Sequence, residues 1–171
     1  TSISDGKSVS DEKPDAVISV VDGASFGQTI AYGEVKPEAQ AMNHSLVNKD
    51  LERIGRLAKG ASDANGTTLT FAFLVVVGNH ATFYLVQRHQ SMYTMPEIGH
   101  VQMPLSLKEI PLYLAQINTI TNVIAAFDKV VASPSHGFDD HPSTLSNDQV
   151  FCIVDTTKNR SCKSVSSHYR H

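Results

Sequence analysis

A chain of 171 residues is long enough to close one sizeable hydrophobic core, and a single domain is its default. Its 41% apolar and 18% charged residues read as those of a soluble globular protein, slightly light in charge, and no apolar run approaches the ~20 residues of a membrane-spanning helix. A net charge of −3 removes any bulk attraction to nucleic acid, so contact with it would need a local basic groove.

The chain opens with a polar stretch, Thr1 to Lys13, read as a flexible lead-in without an apolar leader segment. Two β-branched runs follow, Pro14 to Val21 and Thr29 to Glu38, separated by the turn-rich Asp22-Gly23-Ala24-Ser25-Phe26-Gly27, and they read as a hairpin. Strand alternation puts Glu34 and Lys36 on one face and Val35 on the other. Pairing of the two strands brings Asp15 towards Glu34, so two carboxylates and an amine meet at one sheet edge. Carboxylates that close repel, and a hard divalent cation such as Mg²⁺ relieves the repulsion. The plain alternative is a strand cap at Pro14-Asp15 beside an exposed Glu34/Lys36 pair of little energetic value.

Pro14-Asp15, with Glu34-Val35-Lys36 nineteen residues beyond the Asp, resembles the signature of the PD-(D/E)xK nuclease superfamily. The wider run Gly33 to Pro37, with Asp50-Leu51-Glu52-Arg53 after it, is similar to uncharacterised fungal members of that superfamily. The resemblance implies Asp15 and Glu34 as ligands of Mg²⁺ or Mn²⁺, the Val35 carbonyl as a third, and Lys36 beside the attacking water. It also implies a restriction-endonuclease-like α/β fold, a mixed sheet flanked by helices. The family's opening helix has no counterpart in the lead-in.

From Glu38 to Ala61 the period changes: Met42, Leu46, Val47, Leu51, Ile54, Leu57 and Ala58 mark one face of a helix, with Gly60 and Asp63 to Gly66 as its stop. Lys49, Arg53 and Arg56 line up along the other side. They read either as a solvated face with Asp50 and Glu52, or as the nucleic-acid contact of a groove. Thr68 to Val77 is a buried strand, Ala81 to Arg88 returns antiparallel, and one more strand is expected within Met92 to Pro104. His80, His89 and His100 lack the paired spacing of a zinc site and read as turn or edge residues.

Ser106 to Val131 reads as a second long helix, with Ser106 and Glu109 as a capping box and Pro111 near its start. Leu107, Ile110, Leu114, Ile117, Ile120, Ile124, Phe127 and Val131 form the face expected to cover the sheet. Residues 132–171 read as a polar, flexible tail. Its Cys152 and Cys162 make no disulfide framework, and with His136, Asp139, Asp140, His141 and His168 they are too irregularly spaced for a metal site. The expected domain is 14–131. Two function classes follow: a metal-dependent nuclease acting on DNA rather than RNA, in the nucleus or cytoplasm with no membrane partner, or an inactive nuclease-fold module binding nucleic acid or protein, associated with a mobile element or an effector.

Overall fold

The computed structural model describes residues 13–37, 43–76 and 79–132, together with Leu145, Ser146 and Gln149. The expected lead-in and almost all of the expected tail lie outside the described residues.

β1 (Ala16–Asp22) and β2 (Ser25–Lys36) form the hairpin, antiparallel from Ala16↔Gly33 to Asp22↔Ser25. The connection expected from Asp22 to Gly27 shrinks to a tight turn at Gly23-Ala24, because Ser25, Phe26 and Gly27 extend the second strand. Register passes from Ile18↔Ala31 to Ser19↔Thr29 and leaves Ile30 as an extra residue. That bulge turns Ile30 and Ala31 towards the same core cluster, after which Tyr32, Glu34 and Lys36 alternate onto the opposite face.

α1 (His44–Asn65) crosses from the end of β2 to β3 (Leu69–Val76), which runs parallel to β2. Asn43 caps α1 by accepting from Leu46 N–H at 3.2 Å. Gly60 does not end the helix: Ala58 and Ala61 are buried on either side of it, and packing outweighs its poor propensity. β4 (His80–His89) is antiparallel to β3, and the expected last strand is two short ones, β5 (Met92–Thr94) and β6 (Glu97–Gln102). Both pair with β4, at opposite ends, on either side of Pro96. Among the described residues the sheet is thus six-stranded and mixed, in the order β1-β2-β3-β4-β5, with β6 beside β4.

Neighbouring strand residues enter different clusters, which fixes three layers. Ala72 and Val86 pack under Ile54 and Ala58 of α1, whereas Phe71 and Leu85 join Val123 and Val130 on the other face. The second expected helix is broken into a 3-10 turn (Leu107–Glu109), α2 (Ile110–Leu114) and α3 (Ile117–Val131). Gln116 makes the break: its side chain accepts from Gln102 N–H at 2.8 Å and donates to Gln102 C=O at 3.1 Å, extending β6 by one side chain.

The face of α3 against the sheet is also shifted. Thr119, Val123, Ala126, Phe127 and Val130 face the sheet, while Leu114, Ile117, Ile124 and Val131 are exposed. Gly99 decides this, since a Cβ there would come within 2.8 Å of Val123 and 2.9 Å of Thr119 methyls; the helix settles where β6 has no side chain. Among the described residues no single helix is long and apolar enough to cross a membrane; Leu107–Leu114 and Ile117–Val131 pass only together, and they bend by 73°.

Gly33 is a close approach of the same kind. A Cβ there would come within 2.2 Å of two ring atoms of Phe73, its register partner on β3. Gly33→Ala is therefore expected to cost about 1–3 kcal/mol by overpacking. Phe73→Leu should absorb part of that loss, giving a double mutant more stable than the sum of singles. Urea midpoints measure both; an unchanged midpoint for Gly33→Ala would show that the ring moves aside freely.

Candidate functional site

The residue before β1, the carboxy-terminal end of β2 and the amino-terminal half of α1 build one cluster of five charged side chains. Asp15, just before β1, accepts from the Val35 N–H at 2.9 Å, which prolongs the β1–β2 ladder by a side chain. Glu34 points under α1 and is 0% exposed. Arg53 reaches it from α1 with Nη2 on Glu34 Oε2, and the same nitrogen stands 3.6 Å from Asp50 Oδ1. One step along the strand face, Lys36 Nζ lies 2.8 Å from Asp50 Oδ2. Asp15, Glu34, Val35 and Lys36 are thus brought together as the sequence suggested, and Asp50 and Arg53 complete the group.

Three carboxylates face two cations here, so these five groups carry one uncompensated negative charge. It is felt at Glu34. Burial first, and then the adjoining Asp15 carboxyl, push the Glu34 pKa above its usual 4.5 against the pull of Arg53. Asp15 moves the other way: the Val35 N–H, with Glu34 and the nearby cations, holds it below 3.8. Glu34 Oε1, Asp50 Oδ2 and Arg53 Nε are buried and make no hydrogen bond among the described residues, although Asp50 Oδ2 keeps its ion pair with Lys36. A carboxyl pair with one bare buried oxygen invites a proton or a cation.

The expected outward row of Lys49, Arg53 and Arg56 is not formed. At 100° per residue, Lys49 and Arg56 lie opposite Ile54, but Arg53 sits at the flank, from where its long side chain turns in towards Glu34. Lys49 is exposed, and Arg56 pairs with Glu52 at 3.6 Å. Arg56 also borders a cavity of about 390 Å³, floored by Val86, Tyr93 and Met95.

At the far end of α1 a second charged cluster is centred on Asp63. Lys59 Nζ is 2.7 Å from its Oδ2, Arg88 Nη1 is 3.2 Å from its Oδ1, and Tyr93 donates its hydroxyl to the same oxygen. Burial, and then the bond to Asp63, raise the Tyr93 pKa to about 12. This group ties the end of α1 to β4 and β5. His80 and His100, scattered in the sequence, also meet, with ring nitrogens 3.1 Å apart. No signal in spacing marks that pair, because strand register creates it.

No protein-family model, curated protein or solved structure matches this chain significantly. The functional reading therefore rests on the chemistry of the residues.

Arg53→Ala strips a fully buried carboxylate of its cation and should cost roughly 3–5 kcal/mol at neutral pH. Glu34→Gln introduced into the same chain should recover much of that loss. Strictly additive urea-denaturation losses would mean the two side chains do not depend on each other.

The pH dependence has a definite sign. The folded state holds the Glu34 proton more tightly than the unfolded chain, so Glu34 disfavours folding at neutral pH. That penalty falls as pH drops through its raised pKa and is gone below 4.5. Asp15 contributes oppositely: its stabilisation is full above 3.8 and is lost as pH falls through its lowered pKa. In buffer free of divalent ions, wild-type stability should therefore rise relative to Glu34→Gln between pH 7 and pH 4.5. Parallel profiles for the two proteins would contradict it.

Proposed function

We propose that the chain is a divalent-metal-dependent nuclease of restriction-endonuclease-like fold, a member of the PD-(D/E)xK superfamily, hydrolysing phosphodiester bonds in DNA rather than RNA. The observation that carries this reading is the meeting of Asp15 and Glu34 beside Lys36, with Glu34 Oε1 buried and bare. The order of a β1–β2 hairpin, a crossing helix, a parallel β3 and an antiparallel β4 supports it.

The donor set fits Mg²⁺ or Mn²⁺. Both carboxylates are hard oxygen ligands, and the group is one positive charge short of balance. The N–H and C=O of one strand residue leave the same edge of the strand, so the Val35 carbonyl shares the side on which its N–H meets Asp15. Bound there, the ion would polarise a phosphoryl oxygen and lower the pKa of a water. The chain's own residues do the rest. Arg53 orients Glu34 and offsets part of its buried charge, Asp50 anchors the Lys36 ammonium, and Lys36 orients the attacking water or stabilises charge developing on the phosphorus oxygens. Lys49, exposed on α1, is the cation placed to meet a neighbouring phosphate, while Arg53 serves as a positioning residue. The substrate places such an enzyme in the nucleus or cytoplasm.

A second reading is favoured by the ion pairs themselves. Arg53 on Glu34 and Lys36 on Asp50 are the contacts of a site filled by its own side chains, as in an inactive module that binds nucleic acid or protein. Two measurements separate the readings. Millimolar Mn²⁺ should raise the melting temperature by mass action on the folded state, and Asp15→Ala should abolish the rise. Lys36→Ala, compared within an Asp50→Asn background so that no buried carboxylate is orphaned, should slow cleavage of plasmid DNA by at least ~10²-fold. No thermal response and no cleavage would leave the module.

A further inference from the structure

Antiparallel pairing of β4 with β6 sets Thr82 opposite His100, with His80 two residues along the same face of β4. Gly99 faces α3, so its neighbour His100 projects from the other side of the sheet. There His80 Nδ1 and His100 Nε2 stand 3.1 Å apart, with the rings stacked at 25° and 5.2 Å between centroids. His100 Nδ1 lies 2.9 Å from Thr82 Oγ1. A hydrogen bond between two facing ring nitrogens shares one proton, donated by one ring to the lone pair of the other.

We propose that His80 and His100 are a two-imidazole site for a late first-row divalent cation, Zn²⁺ or Cu²⁺, which replaces that shared proton. The bite fits. Two metal–nitrogen bonds of about 2.0–2.1 Å at angles of roughly 90–109° place their nitrogens about 2.9–3.4 Å apart, and the pair is already there. Thr82 supplies the outer contact that such histidines use. When the Nδ1–H of His100 is donated to Thr82 Oγ1, the bare nitrogen is Nε2, the one aimed at His80. Among the described residues no group of three His, Cys, Asp or Glu side chains converges on a metal position, so water completes the coordination and the site keeps an open face.

The site is separate in place and in chemistry from the carboxylate pair. Glu34, Leu74, Thr82 and His100 are successive partners across the sheet, and the strand spacing puts β4 about 10 Å from β2. Imidazole nitrogen suits Zn²⁺ or Cu²⁺, whereas Mg²⁺ takes oxygen. The proposal stands whether or not the nuclease reading does. Its structural effect is to clip β6 to β4.

The test uses the full chain with Zn²⁺ as the probe. The chain has eight histidines and two cysteines, so the readout is residue-specific, by NMR of the imidazole resonances. His80 and His100 should shift together and saturate with Zn²⁺, and both should ignore Mg²⁺. His100→Ala should abolish the His80 response. Thr82→Val, which leaves both imidazoles in place, should weaken binding at the pair by about tenfold or more. A His80 response equal in His100→Ala and wild type would show that the rings act singly and would overturn the proposal. So would silence of both rings at millimolar Zn²⁺, or Thr82→Val binding as tightly as wild type.

Discussion

A carboxylate with no exposed surface sits in the middle of this fold, and much of the arrangement around β2 follows from keeping it there. Glu34 lies under α1, where a charge without a partner is costly. Arg53 must therefore stand over β2, which fixes the rotation and height of the helix. Asp50, one turn earlier, is then carried to Lys36. An apolar side chain would serve the sheet as well, since buried ion pairs seldom outperform hydrophobic packing in stability.

Comparison of the two charged clusters on α1 sharpens that point. Asp63 receives Lys59, Arg88 and the Tyr93 hydroxyl, and these tie three elements together. The cluster at Glu34 is built differently: three carboxylates, two cations and a bare buried oxygen. In the first, both carboxylate oxygens are engaged by these contacts. In the second, the carboxylates outnumber the cations by one and Glu34 Oε1 has no hydrogen-bond partner among the described residues.

Much of this was legible in the sequence, because it depends on local period. Alternation placed Glu34 and Lys36 on one face, and the 3.6-residue repeat gave the apolar side of α1. What escaped was phase. The bulge at Ile30 is invisible in composition, and Gly60 reads as a stop although the helix runs through it. The face of α3 was displaced because Gly99, on another element, chooses the contact. Arg53 lies on the helix flank, where only the partner beneath decides between solvent and core. His80 and His100 are twenty residues apart, and strand register alone makes them neighbours.

Asp15 leads into β1, an edge strand of the sheet among the described residues. Among the described residues β1 pairs only with β2, and Val17, Val20 and Val21 along it are exposed. Edge strands with few buried contacts open at lower free energy than the whole domain unfolds. One half of the carboxylate pair can thus leave while the parallel β2–β3 ladder and both flanking helices stay in place. The lifetime of the assembled site is then set by local fraying of β1. The amide of Val35, bonded to the Asp15 carboxylate, exchanges its hydrogen on that clock and not on the clock of global unfolding.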